Sequence, residues 1–239
     1  MPDMSGRVVG NGQYQLIQML GSGSYGVVYR AIDLAWSYSP SSSRISPKIA
    51  IKVLHKEALS PSAIKRVRRE VSAHREMSDH PNVVSMHDAF EDKENIYIVL
   101  DYCPGGDLFG KVVDEKLYFR KDELAKSAFL QILDVVEACH RRRVYHRDLK
   151  PENILVSQDG SKVYLTDFGL ATCNQVSETF ACGSSYYMSP GKLNPWFQSG
   201  RMLIVCFRRV HWKGDWTSPL LQPRFRYLGS GRHSRQHDH

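Results

Sequence analysis

Apolar residues recur mostly at the strand period in the first part of this chain of 239 residues and at the helix period after it, and that change limits the fold more than any other feature. Up to Asp101, the runs Tyr14 to Leu20, Val27 to Ile32, Ile49 to Leu54, Val83 to Phe90 and Ile96 to Asp101 read as strands. The charged, Arg-rich stretch Pro61 to Met77 interrupts them and is of helical type. After Pro104-Gly105-Gly106-Asp107-Leu108, residues Leu124, Ala128, Phe129, Ile132, Leu133 and Val136 recur at the three-and-four spacing of one buried helix face. A β-rich part thus gives way to a helical one, which is an α+β arrangement.

Composition narrows the class. Hydrophobic residues make up 42% of the chain, enough for a core. The five cysteines, Cys103, Cys139, Cys173, Cys182 and Cys206, are odd in number and unpaired in sequence, so neither a disulfide framework nor a zinc site is expected. Apolar stretches such as Ile96 to Leu100 and Met202 to Phe207 are too short to span a bilayer, and the first residues lack the apolar core of a signal peptide. A soluble intracellular protein, cytoplasmic or nuclear and without membrane contact, is expected. The net charge of +7 sits in residues 192–239, where nine Lys/Arg face two acids. That segment also holds three of the four tryptophans and no sustained periodicity, and a disordered basic tail is expected there. Cationic tails are most often simply solvated, so nucleic-acid binding is not expected. Residues 35–48, with six serines and two prolines, read as an exposed loop.

Three stretches carry chemistry. Gly21-Ser22-Gly23-Ser24-Tyr25-Gly26-Val27-Val28 lets backbone amides approach phosphates, because glycine has no Cβ to block them. Alone it is equally a hairpin turn or a dinucleotide fingerprint, although the fingerprint needs a helix where Val27-Val28-Tyr29 continues as strand. Lys52, inside the apolar strand Ile49 to Val53, needs an anionic partner if buried. Glu70, eighteen residues on, is the first choice and Glu76 the competitor; Lys52 at a strand edge in water is the alternative. Third, His146-Arg147-Asp148-Leu149-Lys150-Pro151-Glu152-Asn153 is followed, fourteen residues after Asn153, by Asp167-Phe168-Gly169.

In that order and spacing the motifs resemble those of eukaryotic serine/threonine protein kinases, with Lys150 the serine/threonine signature. The resemblance covers about residues 14–190. It implies a bilobal fold, with a complete β-rich N-lobe over 14–101 after an extension of residues 1–13, a partial helical C-lobe over 102–190 and a non-kinase tail over 191–239. It also implies ATP and Mg²⁺ as cofactors and protein Ser/Thr hydroxyls as acceptors. Asp148 would take or orient the hydroxyl proton, Lys150 would neutralise the transferring phosphate, Asn153 and Asp167 would hold the metal, and Lys52 with Glu70 would position the nucleotide. The glycine loop (Gly21, Ser22, Gly23, Ser24, Tyr25, Gly26) would cover the phosphates, and Val28, Ala50 and Leu155 would bind ATP beside them. Leu100 takes the gatekeeper place, Asp101 to Cys103 the hinge, and Asp107 the ribose, although PGGD is also a good turn sequence. His146 and Phe168 are read as packing residues. Arg147 beside Asp148 implies a cation pocket for a phosphorylated activation-loop residue, Thr179 first and Ser177 second. Ser184 sits where such kinases place a hydroxyl near the catalytic Asp and Lys. The sequence Cys182 to Pro190 is most similar to fungal kinases linked to nutrient and cell-cycle signalling.

The resemblance breaks at Gly191, where the family has glutamate. Gly191-Lys192 is what a glutamate codon interrupted after its first G by an intron opening GTAAGT would encode, so a retained intron or gene-model error is suspected. With the later C-lobe helices missing, Leu124, Phe129, Ile132, Leu133 and Val136 are expected to be under-covered. The alternative to an active kinase is an inactive fragment that at most binds nucleotide or partners.

Overall fold

The computed structural model describes residues 3–23, 26–35 and 48–173. Ser24, Tyr25, Thr179, Ser184, most of the serine-rich loop and the tail from residue 191 lie outside the described residues.

Alternation of buried and open positions builds one six-stranded antiparallel sheet from β1 (Val8–Val9), β2 (Tyr14–Gly23), β3 (Gly26–Asp33), β4 (Lys48–His55), β5 (Met86–Glu91) and β6 (Asn95–Asp101), in the order β1-β2-β3-β4-β6-β5. The glycine turn joins β2 to β3, with Gly23 opposite Gly26. At Gly26 a Cβ would collide with the Val53 carbonyl oxygen, so this glycine is required by packing against β4. Between β4 and β5 runs α1 (Pro61–Met77), which starts at Ser60, whose hydroxyl accepts from the Ala63 amide at 3.2 Å, with proline at the first helical position.

Helix α1 joins two apolar clusters. Ala63 and Val67 pack with Leu54, Leu59, Met86, Ile96 and Ile98 under the sheet. Ala73 and Met77, two turns on, belong to a second cluster with Val83, Phe168 and the long helix α3 (Asp122–Arg141). The helical lobe also contains α2 (Leu108–Val113) and an antiparallel hairpin of β7 (Ile154–Val156) and β8 (Val163–Leu165). Pro104 and Gly105 carry the chain between lobes, and Gly105 lies so close to the Val156 carbonyl that no Cβ fits.

Three features differ from the sequence reading or were absent from it. Val83 is not in the fifth strand: β5 starts at Met86, because the backbone at Val83 and Val84 pairs with Leu165 of the lower lobe, the Val84 amide donating to Leu165 O at 3.0 Å. The apolar face of α3 is covered. Phe129, Ile132, Leu133 and Val136 are each at most 3% exposed and Leu124 packs at the rim, because Met77, Val83, Tyr118, Val156, Val163, Leu165 and Phe168 share their cluster. Finally, residues 3–9 fasten to the sheet: Val8 and Val9 pair with Gln15 and Tyr14. Met4, 3% exposed, sits in the cluster of Leu16, Tyr29, Ile51, Val53 and Tyr97, and its amide donates to the Tyr29 hydroxyl at 3.1 Å.

Removing a buried methionine side chain loses its transfer energy and leaves a cavity. Met4→Ala is expected to cost about 2 kcal/mol, measured as a lower urea midpoint at unchanged m value. An unchanged midpoint would mean that the segment is not fastened to the sheet in solution.

Candidate active site

Strand β4 places Lys52 between Val28 of β3 and Ile98 of β6, with its side chain directed to α1. Its Nζ lies 2.6 Å from Oε1 of buried Glu70 and 3.4 Å from Oδ1 of Asp167, which reaches it from the loop after β8. Glu76, the competing partner, is exposed. Burial works to lower the Lys52 pKa, but the Glu70 and Asp167 carboxylates outweigh it and raise the pKa, so the ammonium stays charged. Burial likewise works to raise the Asp167 pKa, yet the Lys52 ammonium and a bond from the Gly169 amide hold it below the usual carboxylate value. Asp167 has φ 60°, in the left-handed region, a conformation that costs about 1–3 kcal/mol and persists only when its neighbours enforce it.

A second set of bonds ties the 146–153 loop to Asp148. Lys150 Nζ lies 3.0 Å from Asp148 Oδ2. Asn153 Nδ2 donates to the same oxygen at 3.1 Å and to Asp148 O at 2.9 Å. The Asn153 carbonyl accepts from the Thr166 amide at 3.0 Å, which links this loop to the residue before Asp167. Arg147, also left-handed at φ 67°, donates from Nε to Leu170 O at 2.6 Å. Phe168 is fully buried between the rings of His74 on α1 and His146, each centroid 4.9 Å away. His74 donates to Val84 O at 2.7 Å and His146 to Thr166 O at 3.0 Å.

Two residues before Lys52 and on the same face of β4, Ala50 pairs with Leu100 of β6, and Leu155 bridges Asp107 beneath the lobe crossing. One carboxylate oxygen of Asp107 accepts from the Gly110 amide at 2.8 Å and so caps α2. The Cys103 thiol is pushed up to about 11 by burial and by Asp101, and is protonated at neutral pH. Around Gly21 and Gly23 a Cβ would meet nothing within 4 Å, so that part of the turn is open to a ligand, unlike Gly26.

The described part of the site therefore joins a fixed cation, a carboxylate held by an ammonium and an amide, and two hard oxygen donors in Asn153 and Asp167. Among the described residues no three His, Cys, Asp or Glu side chains are grouped to hold a metal ion. An oxygen pair completed by phosphate and water suits Mg²⁺ rather than a metal that needs a closed protein cage.

The profile of the protein kinase domain matches residues 14–200, running past Pro190. The chain belongs to the protein kinase family. Among similar proteins, the negative regulator of sexual conjugation and meiosis of Schizosaccharomyces pombe is 43% identical over 185 residues, 77% of this chain and 37% of that protein. CBL-interacting protein kinase 5 of Oryza sativa subsp. japonica is 37% identical over 188 residues, 76% and 38% of the two chains. CBL-interacting serine/threonine-protein kinase 10 of Arabidopsis thaliana is 35% identical over 188 residues, 76% and 36%. These relatives place this kinase in the serine/threonine group, and it matches well under half the length of each. ATP is the family's phosphoryl donor. Among the described residues of this kinase no helix is long and apolar enough to cross a membrane.

One residue at the site escaped the sequence reading. His74 follows Glu70 by four positions and so shares the helix's inner face, a signal that a search for apolar residues alone passes over. Burial holds the pKa of His74 and of His146 below the usual histidine value. Both stay neutral in the folded kinase while the unfolded chain takes up protons below about pH 6.5, so stability falls as pH drops through that value. Each contributes up to about 1.4 kcal/mol per pH unit to the slope. His140, also held down by burial, adds a similar slope. His74→Leu should remove one share, giving a shallower fall of urea-unfolding free energy between neutral and mildly acid pH. Equal slopes in both proteins would show that His74 is not buried neutral.

Proposed function

We propose that this chain transfers the γ-phosphoryl group of ATP to serine or threonine hydroxyls of proteins. The observation that carries the reading is Lys52 held between Glu70 at 2.6 Å and Asp167 at 3.4 Å, because this pairing aims one fixed cation at a site whose other wall is Asp148 and Asn153. In the proposed reaction Glu70 orients Lys52, whose charge holds the nucleotide phosphates. Backbone amides of the Gly21 to Gly26 turn cover those phosphates, Val28, Ala50, Leu100 and Leu155 enclose the adenine, Asp101 and Cys103 meet its edge through their backbone, and Asp107 meets the ribose. Asn153 and Asp167 would hold magnesium, which when bound would neutralise charge on the phosphate oxygens. Asp148 accepts the proton of the attacking hydroxyl, and Lys150 neutralises the phosphate in flight. Thr179, and after it Ser177, is the proposed activating phosphorylation site, read by Arg147. The fission yeast relative, a regulator of conjugation and meiosis by name, supports a place in nutrient or cell-cycle signalling.

Asp148→Asn should lower turnover of a Ser/Thr peptide by about 10²–10⁴-fold, with Mg²⁺-ATP binding retained, measured by radiolabel transfer and nucleotide titration. Lys52→Met should cost turnover more than stability, since Met fills a similar volume, although it leaves buried Glu70 without its cation. Turnover equal to the parent chain in either variant rejects these roles. Nucleotide binding without transfer in the parent chain would favour a nucleotide-binding fragment over an active enzyme.

A further inference from the structure

The inner face of α1 is spent on packing and on Glu70, and its outer face has no described use. Lys65, Arg66, Arg68, Arg69 and Arg75 are all exposed, against Glu76 as the exposed carboxylate of the helix. Arg68 lies 3.7 Å from Glu91, but Glu91 is already met by Lys56 at 3.0 Å. Among the described residues Lys65, Arg66, Arg69 and Arg75 pair with no carboxylate. Like charges three and four positions apart, as in Lys65 with Arg68 and Arg69, destabilise a helix and leave a positive field along it.

We propose that the outer face of α1 is a docking surface for an acidic segment of a partner protein. Charge complementarity sets the occupant's sign, and what the face lacks sets its class. The exposed large hydrophobic residues among the described ones are Val8, Ile17, Met19, Leu20, Val113 and Phe119, none of them on α1, so nothing there enters a lipid interface. The outer face of the helix carries no aromatic ring on which a nucleic-acid base could stack, its one imidazole, His74, being buried on the inner face. Lys65, Arg68, Arg69 and Arg75 share one stripe, from which Arg66 stands off, and three of these four are arginines, whose planar fork takes carboxylates in bidentate fashion. From Lys65 to Arg75 the row is about 15 Å long, the span of about five residues of an extended acidic peptide.

The test uses the whole chain and a labelled Glu/Asp-rich peptide of about a dozen residues with a central photo-crosslinker. Because residues 192–239 hold nine Lys/Arg of their own, the site of attachment must be mapped as well as the affinity. Crosslinks within residues 61–77 are expected, together with at least about tenfold weaker binding in the double variant Lys65→Gln, Arg69→Gln. Both positions are exposed and glutamine is a good helix former, so the variant should keep its circular dichroism and melting temperature. Crosslinks confined to 192–239, or unchanged affinity in the double variant, would overturn the proposal. So would stronger displacement of the peptide by a single-stranded oligonucleotide or by anionic vesicles than by unlabelled peptide.

Discussion

The ammonium of Lys52 is the point on which the arrangement depends. A cation set in an apolar sheet is tolerable only if counter-charges come to it, and here they come from eighteen and 115 residues away in sequence. Satisfying this one group brings β4, α1 and the loop after β8 into a single place. The approach of α1 to β4 and the placement of Asp167 thus answer one electrostatic requirement, within a sheet that packing builds.

Packing supports the same geometry from behind. Phe168 follows Asp167 directly and is clasped by His74 from the upper lobe and His146 from the lower one, so the carboxylate and the ring beside it are set together. The left-handed backbone at Arg147 and Asp167 is the cost of turning both loops toward one point, and the bonds to Leu170, Thr166 and Lys52 offset it. Since α1 lies in both apolar clusters, displacing its Glu70 disturbs the core of each lobe.

Most of this was legible in sequence because it is periodic or charged. The sheet, the helix from Pro61 to Met77 and the partner of Lys52 follow from alternation, helical spacing and the cost of a buried cation. What stayed hidden was neither. A two-residue strand and the single buried Met4 have no period to detect. His74 is polar in composition but buried in fact. Val83 and Val84 look like strand, and only tertiary competition shows that their backbone bonds go to Leu165. The face of α3 was expected to lack cover because its cover was sought in later helices, whereas Met77, Val83 and the β7–β8 hairpin, all within the motif-bearing region, supply it.

The crossing between lobes is pinned at both ends. On the upper side the Asp101 and Tyr102 amides are tied to Ser85 and Lys48. On the lower side Gly105 is pressed against the Val156 carbonyl, and Gly106 accepts from the Val156 amide at 2.9 Å. The freely turning bonds of this crossing are therefore confined to the few between Tyr102 and Pro104, and the pyrrolidine ring removes one more. Any opening of the cleft must turn on this short axle and also strain α1 and the bonds of Asn82 and Val84 to Leu165, so its amplitude is set by these ties together with a handful of torsions.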